Sequence, residues 1–457
     1  MSEDLRASVQ RLVPRALADL EELIKIPSVS ADPAAAGEVT RSARATAALF
    51  RAAGVPEVEV IDGIAGGRPA VLARCPAPEG RPTVLLYAHH DVQPAGDPAA
   101  WTTPPFRATE RDGRLYGRGS ADDKAGIAAH LTALRAHGGR PPVGVTVFVE
   151  GEEESGSPTL GELLRRHRDR LAADVIVLAD SANLEIGTPA LTTSLRGLVD
   201  CVVEVRTLAH PVHSGMYGGA APDALTALCR LLATLHDDRG DVAVAGLASA
   251  KAPEVDIPED RFRAAASVLD GVELIGTGGI AERLWAKPAA TVLAIDATPV
   301  ADASNTLAAS ARAKVSLRLA PGDDPDRALA ALAEHLRGHA PWGVRVTVGE
   351  GDTGRPYAVD ASGPAFDAAR RAFRAAYGSE LVEMGIGGTI PFIAAFADAF
   401  PNAAILVTSA GADPDCRAHG VDESLHLGDF ERACLAETLL LAELADVGSR
   451  AAPAPTS

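Results

Sequence analysis

The segment LLYAHHDVQP, Leu85–Pro94, places two histidines and an aspartate directly after an apolar stretch. The run PTVLLYA at 82–88 has the length and the apolar composition of a buried β-strand. Buried strands of this kind, separated by helices, are typical of a parallel sheet that is covered on both faces. An unpaired imidazole or carboxylate is costly to bury, so His89, His90 and Asp91 need partners from elsewhere in the chain.

The first part of the chain repeats this alternation of strand and helix. Buried strands are predicted at 143–150 and 173–180, and an alanine-rich helix at 124–138 precedes them. Two amphipathic helices are predicted at 4–25 and 39–53. Strands that alternate with helices predict an α/β domain with a mostly parallel central sheet flanked by helices.

The pattern changes after Arg196, where apolar and polar residues begin to alternate as in half-exposed antiparallel strands. The strands predicted in this part, and the helices between them, cover 197–207, 221–238, 309–319, 324–340 and 344–350. A helix at 363–378 and a buried strand at 402–411 then restore the first pattern. We therefore predict a catalytic α/β domain formed by 1–194 and 356–457, and a smaller inserted α+β domain at 195–355.

Composition and charge narrow the classes of function. The chain has 457 residues and a net charge of −18, which disfavours nucleic acid and anionic membranes as partners. No apolar run reaches the roughly 18 residues of a transmembrane helix, and the N-terminal residues lack the layout of a secretory signal, so we expect a cytoplasmic location. Five scattered cysteines without a CxxC pair indicate neither a disulfide framework nor a thiolate zinc site.

Polar clusters follow four of the predicted buried strands. They comprise His89-His90-Asp91, the acidic run from Glu150 to Ser157, Asp180 and, after a longer loop, His419, while a further loop places Asp122 and Asp123 just before a helix. Ligand sites in open α/β sheets gather at the carboxyl ends of the strands. These separate clusters are therefore expected to converge on one place.

Two imidazoles beside four or more carboxylates indicate bound cations, because unneutralised carboxylates repel and raise one another's pKa. Imidazole with carboxylate and no thiolate suits zinc, and also manganese or cobalt. The number of donors exceeds what one tetrahedral ion needs. We therefore predict two divalent metal ions that share a carboxylate, an arrangement suited to hydrolysis. The adjacent Glu153 and Glu154 could divide the roles of base and ligand.

Each of these residues also has a purely structural interpretation. Asp122 alone is more readily explained as the N-cap of the following helix, and Asp180 could cap a turn. The acidic run at 150–157 could be a solvated loop. Together, these interpretations require four independent coincidences at strand ends, whereas a shared metal site explains all four at once.

Six motifs, in order, resemble those of a known family. They are YAHHDVQP (87–94), GRLYGRGSADDKAG (113–126), EGEEESGS (150–157), HPVHSGMYGG (210–219), VSLRLAP (315–321) and AHGVDE (418–423). The chain resembles the dinuclear-zinc exopeptidases and deacylases grouped with carnosinase-type dipeptidases, glutamate carboxypeptidase, aminoacylase and succinyl-diaminopimelate desuccinylase. The motifs DVQP and EESGS are most similar to the dipeptidase branch.

The resemblance implies roles for the first group of matching residues. Of the implied metal ligands, His89 and Asp180 would hold one ion, Glu154 and His419 the other, and Asp122 would bridge both. Asp91 would orient His89. Glu153 would be the general base that deprotonates the bridging water and later protonates the leaving amine.

On the insert, the resemblance implies that His213 stabilises the tetrahedral oxyanion, and in dimeric relatives this histidine comes from the partner subunit. Arg318 would clamp the substrate carboxylate through its guanidinium fork. Asn305 and Thr306 would also line the site. The insert itself would act as a lid and as the surface of a homodimer. Taken alone, the VHSG segment could be merely a turn, and Arg318 could be an ordinary exposed arginine of an alternating strand.

The sequence thus predicts a dinuclear metallo-dipeptidase or related exopeptidase that hydrolyses an amide bond in a dipeptide or similar small substrate with a free carboxylate. An N-acyl-amino-acid deacylase with the same metal core is the alternative. A non-enzymatic metal-binding scaffold is disfavoured, because a pure binding site does not need the base Glu153. Ile386 stands where relatives usually have a charged residue, so recognition on that wall is expected to differ.

Overall fold

The structure, a computed structural model, describes residues 2–349, 351–388 and 390–447. The chain divides into two compact units. Unit 1 comprises Met1–Thr192, Asp360–Met384 and Pro391–Ser457, and unit 2 comprises Thr193–Val359 and Gly385–Ile390. In the described ranges, no helix combines the length and the apolar character that crossing a membrane requires.

Helices and strands are numbered here in chain order. The helices in the described ranges are α1 (Ser2–Ile24), α2 (Ala36–Ala52), α3 (Lys124–Ala136), α4 (Leu160–Arg166), α5 (Arg168–Leu171), α6 (Ser214–Tyr217), α7 (Ala224–Ala233), α8 (Glu259–Ala265), α9 (Ile280–Trp285), α10 (Pro325–Gly338), α11 (Pro364–Tyr377), α12 (Pro391–Ala399) and α13 (Leu427–Leu444). The strands are β1 (Glu57–Ile61), β2 (Ala70–Cys75), β3 (Thr83–His89), β4 (Thr109–Arg111), β5 (Arg114–Tyr116), β6 (Gly144–Glu150), β7 (Val175–Leu178), β8 (Ala190–Leu195), β9 (Gly197–Arg206), β10 (Val212–His213), β11 (Ala289–Asp296), β12 (Thr306–Leu307), β13 (Ser310–Leu319), β14 (Arg345–Gly349), β15 (Thr353–Gly354), β16 (Tyr357–Ala358), β17 (Val382–Ile386), β18 (Ala404–Val407) and β19 (Ser424–His426).

The central sheet of unit 1 has six strands in the order β1–β2–β6–β3–β7–β18. β6, β3, β7 and β18 run parallel, whereas β1 and β2 add an antiparallel edge. The prediction of an α/β fold with a mostly parallel sheet is therefore confirmed. The sequence patterns did not predict the antiparallel β1–β2 pair or the long C-terminal helix α13.

The parallel strands are buried because helices α1, α3, α11 and α13 pack together over the sheet. Every residue of β6 is buried, as its continuous apolar sequence predicts. The register pairs His89 with Glu150 and Tyr87 with Leu178, so neighbouring strands end at nearly the same level. Their carboxyl ends therefore form one edge, and the loops that follow them begin close together.

Unit 2 contains an antiparallel sheet in the order β11–β13–β9–β14. Alternate residues of β9, including Val199, Cys201 and Val203, face a hydrophobic core that α7 and α10 complete. The opposite face is more exposed, in agreement with the alternation in the sequence. All five cysteines lie in the described ranges and are unpaired.

An aromatic cluster under the carboxyl edge of the central sheet generates a test of this packing. Tyr87 stacks on Phe392 with 4.6 Å between ring centroids and meets the edge of Phe396 at 5.5 Å. Phe396 is fully buried, so Phe396→Ala should lower the free energy of unfolding by about 3–5 kcal/mol through lost burial and a residual cavity. Chemical denaturation measures this change. Asp398→Asn, on the exposed side of the same helix, should change the value by less than about 0.5 kcal/mol.

Candidate metal centre

Four parallel strands lead to four of the five predicted metal ligands at one edge of the sheet. His89 is the last residue of β3, and the Glu153–Glu154 pair follows β6 after a short turn. Asp180 lies two residues beyond β7, and the loop after β18 leads to His419. All of these residues belong to unit 1. The structure therefore brings together segments that are far apart in the sequence.

The carboxylate of Asp122 lies between two imidazole rings. Its Oδ1 is 3.0 Å from His89 Nε2, and its Oδ2 is 2.9 Å from His419 Nε2. His419 Nε2 is also 3.2 Å from Glu154 Oε2, and His89 Nε2 is 3.8 Å from Asp180 Oδ2. One carboxylate is thus shared between two groups of donors, each of which has its own imidazole and its own second carboxylate.

Asp91 orients both His89 and the acidic loop. His89 Nδ1 lies 3.1 Å from the main-chain oxygen of Asp91 and 3.4 Å from its Oδ1. Because these oxygens only accept, they hold a proton on Nδ1, and a metal ion bound in place of a proton at Nε2 would find the Nε2 lone pair directed into the site. The Asp91 carboxylate also accepts the main-chain N–H groups of Glu153 at 3.3 Å and Glu154 at 3.1 Å. Asp91 therefore ties the β3 end to the β6 loop.

Gln93 and Asp123 support the site, and the sequence reasoning gave neither of them a role. Gln93 donates from its main-chain N to Glu154 Oε1 at 3.1 Å and from Nε2 to Glu154 Oε2 at 2.8 Å. Asp123 is the N-cap of α3 and accepts from Gly126 N at 3.2 Å. The capping role considered for Asp122 thus falls to its neighbour, and the Asp122 carboxylate faces the histidines. The position of Gln93 in the DVQP motif is the sequence feature that could have indicated its place near the site.

The electrostatics of the cluster show an excess of negative charge. Burial, together with the charges of Asp180, Glu154 and Asp122, raises the pKa of Glu153 to about 9. Burial and the neighbouring carboxylates likewise raise the pKa of Asp180 to about 7. Hydrogen bonds to Asp122 and Glu154 raise the pKa of His419 to about 10. Carboxyl groups that hold protons and imidazoles that become cationic are the expected response to carboxylates without counter-charge.

The donor set fits divalent metal ions. The donor atoms of His89, Asp122 and Glu154 all lie within 4.8 Å of one another, and so do those of His89, Asp123 and Asp180. Imidazole nitrogen and carboxylate oxygen without thiolate match the preferences of zinc, manganese and cobalt. Divalent cations would also supply the positive charge that the raised pKa values of Glu153 and Asp180 call for.

Three of the predicted residues of the insert meet within unit 2. His213 pairs directly with Thr306 across the β10–β12 ladder, and Ser214 N donates to the carbonyl of Asn305 at 2.8 Å. His213 is exposed, and its Nδ1 accepts the N–H of Gly215 at 3.1 Å. A neutral imidazole that accepts at Nδ1 carries its proton on Nε2, so this ring presents an N–H donor.

Arg318 lies elsewhere in unit 2, near the end of β13 and opposite Leu198 of β9. Its charge acts on the buried Arg196, whose pKa is lowered to about 10 by burial and by this neighbour. Arg196 donates to the carbonyl of Gly387 at 3.2 Å and from its main-chain N to that of Ile386 at 3.1 Å. The glycine segment that contains Ile386 is therefore anchored by Arg196, close enough to Arg318 for their charges to interact, a link that sequence spacing could not reveal.

A sheet edge that gathers imidazoles and carboxylates on an α/β fold is the arrangement of a metal-dependent hydrolase. The sequence profile of peptidase family M20/M25/M40 matches residues 85–443. The chain belongs to this family.

Named relatives lie in the dipeptidase branch. The chain is 40% identical to the cysteinylglycine-S-conjugate dipeptidase of Corynebacterium striatum over 368 residues. This alignment covers 79% of this chain and 80% of that protein. The chain is 27% identical over 470 residues to the Cys-Gly metallodipeptidase DUG1 of Saccharomyces cerevisiae, covering 94% and 96%. The crystal structure of human carnosine dipeptidase 1 has a TM-score of 0.78 at 25% identity, covering 97% and 99%. The resemblance to this branch is confirmed.

Removal of divalent cations tests the donor set. An ion at about 1,000 times its dissociation constant stabilises a folded protein by about 4 kcal/mol. Excess chelator should therefore lower the thermal midpoint of the wild-type protein, measured by calorimetry, and re-addition of zinc should restore it. Asp122→Asn removes the shared carboxylate, so chelator should shift its midpoint much less. Equal midpoints for the wild-type protein with and without chelator would contradict a metal centre here.

Proposed function

We propose that this chain is a dinuclear metal-dependent dipeptidase. The observation that supports it most directly is the Asp122 carboxylate, which lies within 3.0 Å of imidazole nitrogens from both His89 and His419. Asp122 would bridge the two ions, His89 and Asp180 would complete one set of ligands, and Glu154 and His419 would complete the other. Bound there, two divalent ions would polarise the scissile carbonyl and acidify the attacking water.

Glu153 is the proposed general base. Its carboxylate lies beside the ligands, and no described residue is hydrogen-bonded to it. It takes a proton from water as the oxygen attacks the carbonyl carbon. It then delivers that proton to the amide nitrogen as the carbon–nitrogen bond breaks. With a pKa of about 9 the Glu153 carboxyl holds its proton near neutral pH, and bound cations that neutralise the surrounding carboxylates would lower this pKa and free the carboxylate to act as a base.

The substrate is proposed to be a dipeptide with a free carboxylate, such as a cysteinylglycine or its S-conjugate. Two of the relatives named above act on Cys-Gly compounds by name, and both cover more than two thirds of this chain. Arg318 would bind the carboxylate, and its planar fork suits that task. The apolar Ile386 is compatible with a substrate side chain that carries no charge. The deacylase alternative is not favoured, because the named relatives are dipeptidases.

The placement of residues within unit 2 supports a homodimer. Arg318 lies near one end of the β9–β13 ladder, and the His213–Thr306 pair lies in the short β10–β12 ladder, which comes just before the other end along the chain. Arg318 is eight positions beyond Ser310 along the extended strand β13, a span of roughly 26 Å. One dipeptide is too short to touch both ends. His213, Asn305 and Thr306 of one protomer would therefore serve the site of its partner, while Arg318 would serve its own.

β11 is the proposed surface for this dimer. It forms an edge of the sheet in unit 2, and the residues from Thr291 to Asp296 are exposed. Val292, Leu293 and Ile295 are apolar members of that strand, and Leu293 is 56% exposed. An exposed apolar edge strand is a ready template for pairing with another chain. Two copies of β11 could pair about a two-fold axis, which is the commonest symmetry of homodimers. We further propose that the insert closes over the bound substrate as a lid and that the native metal is zinc, manganese or cobalt.

Substrate hydrolysis tests this function. The purified protein, supplied separately with zinc, manganese and cobalt, should release glycine from cysteinylglycine and its S-conjugates faster than it cleaves N-acetyl amino acids. Glu153→Gln should lower kcat by about 10²–10⁴, the usual contribution of a general base, and should leave the metal content unchanged. Amino-acid analysis and elemental analysis provide the two readouts. Full activity of Glu153→Gln would refute the base assignment, and faster cleavage of N-acetyl amino acids would favour the deacylase.

Complementation tests whether His213 acts across the dimer. Glu153→Gln and His213→Asn homodimers should both be nearly inactive. A heterodimer purified through two different tags should have roughly half the wild-type kcat, because one of its two sites then has both groups intact. An inactive heterodimer would show that His213 acts within its own protomer. Leu293→Glu in both chains serves as the control. A charge on β11 should prevent association, so no active species that carries both tags should be obtained.

A further inference from the structure

A buried ion pair joins the two loops that supply Asp122 and His419. Arg118 precedes Asp122 on the loop before α3, and Glu423 follows His419 on the loop before β19. The side chains are 2% and 0% exposed, and Arg118 Nη1 lies 2.7 Å from Glu423 Oε2. The hydrogen bonds of both side chains go to each other and to main-chain atoms, not to the donor atoms of the predicted ligands, so neither residue belongs to the donor set described above.

The Glu423 carboxylate binds the main chain of the opposite loop. Its Oε2 accepts the N–H of Gly119 at 3.0 Å, and its Oε1 accepts those of Ala121 at 2.9 Å and Asp122 at 3.1 Å. With Arg118, these donors use the available positions of both carboxylate oxygens. The main chain at Asp122 is therefore held by a side chain from the His419 loop.

Arg118 makes the reciprocal connection. Its Nη2 donates to the carbonyl of His419 at 3.2 Å, to that of Gly420 at 3.0 Å and to that of Pro94 at 3.3 Å. His419 has a φ of +64°, a left-handed conformation that residues with a side chain rarely adopt. Such a conformation persists only where its surroundings impose it, and hydrogen bonds from the buried guanidinium are in a position to do so.

From this crossed arrangement we infer that Arg118 and Glu423 are positioning residues that set the separation of Asp122 from His419 and thereby the affinity for the ion held by His419 and Glu154. Each loop places its own ligand at the site and uses a second charged residue, Arg118 or Glu423, to hold the main chain of the opposite loop. The pair therefore couples two ligands that are almost 300 positions apart in the sequence. The inference rests on the proposed metal centre and extends it.

A buried ion pair is not by itself evidence of stabilisation, because desolvation of the two charges can exceed their attraction. This pair matters because it fixes the positions of the two loops, and metal sites tolerate only small displacements of their ligands. Lysine in place of Arg118 would keep the charge. It could not reach Glu423 and the His419 and Gly420 carbonyls together, because an ammonium lacks the spread of a guanidinium.

Titration of metal-stripped protein with zinc, followed by calorimetry, tests the inference. The wild-type protein should bind two ions. Arg118→Lys and Glu423→Gln should each weaken one of the two binding events by about 10- to 100-fold, the usual effect of losing a group that orients metal ligands, and change the other by much less. His419→Asn provides the reference, because it removes a ligand of the affected ion and should leave one binding event.

Asp19→Asn is the matched control for a merely structural effect. Asp19 forms a largely buried ion pair with Arg135 that joins α1 to α3 and includes none of the predicted ligands. This variant should lose thermal stability and still bind two zinc ions with wild-type affinity. If Arg118→Lys and Glu423→Gln titrate like Asp19→Asn, the positioning role is overturned. If the wild-type protein itself binds no zinc, the proposed metal centre fails instead. Should Glu423→Gln not fold, Arg118→Lys alone decides the outcome.

Discussion

The concentration of carboxylates at one sheet edge is the constraint on which the rest of the structure depends. Asp122, Glu153, Glu154 and Asp180 lie where main-chain geometry brings them, and their mutual repulsion and burial favour the protonated forms of Glu153 and Asp180. A folded protein keeps such an arrangement only if bound protons or cations neutralise the carboxylates. The two imidazoles, the Asp91 tether and the Arg118–Glu423 pair all contribute to holding it.

The same constraint explains how the residues of the site divide between binding metal ions and transferring a proton. Two of the groups that would hold cations are anchored by hydrogen bonds: His89 by Asp91, and Glu154 by Gln93 and Asp91. Glu153 has no such anchor among the described residues, although its main-chain N–H is held by Asp91. A ligand benefits from being fixed, whereas a base must exchange a proton with water and substrate. The two adjacent glutamates thus differ in their surroundings in the way that the proposed roles require.

Much of the fold of unit 1 could be predicted because burial on both faces leaves a clear signature. The apolar runs at 82–88 and 143–150 match β3 and β6 closely. Shorter or less regular elements were not predicted: β1 alternates over only five residues, and α13 is buried along much of its length, so its amphipathic period is weak. A cluster of donors could be proposed from the polar residues at strand ends, whereas the particular set of five ligands, which includes Asp122 on a loop, was implied by the resemblance to the family. The contacts of Gln93 and Glu423 could not be predicted, because they depend on which loop each residue faces. The DVQP motif marks only the place of Gln93 in the chain.

The sequence by itself determined which residues end buried strands with polar groups, and those groups predict a metal site because isolated charges are not buried without a partner. It also carried the six motifs by which the family could be expected. Only the tertiary structure decided that Asp122, and not Asp123, faces both imidazoles. It also decided that Asn305 and Thr306 lie beside His213, whereas Arg318 lies near the end of β13. Finally, it showed that Arg118 and Glu423 connect two loops that are distant in the sequence. The physical reason is that hydrogen bonds and charge pairs act over a few ångströms in space. The sequence records only the order of residues along the chain.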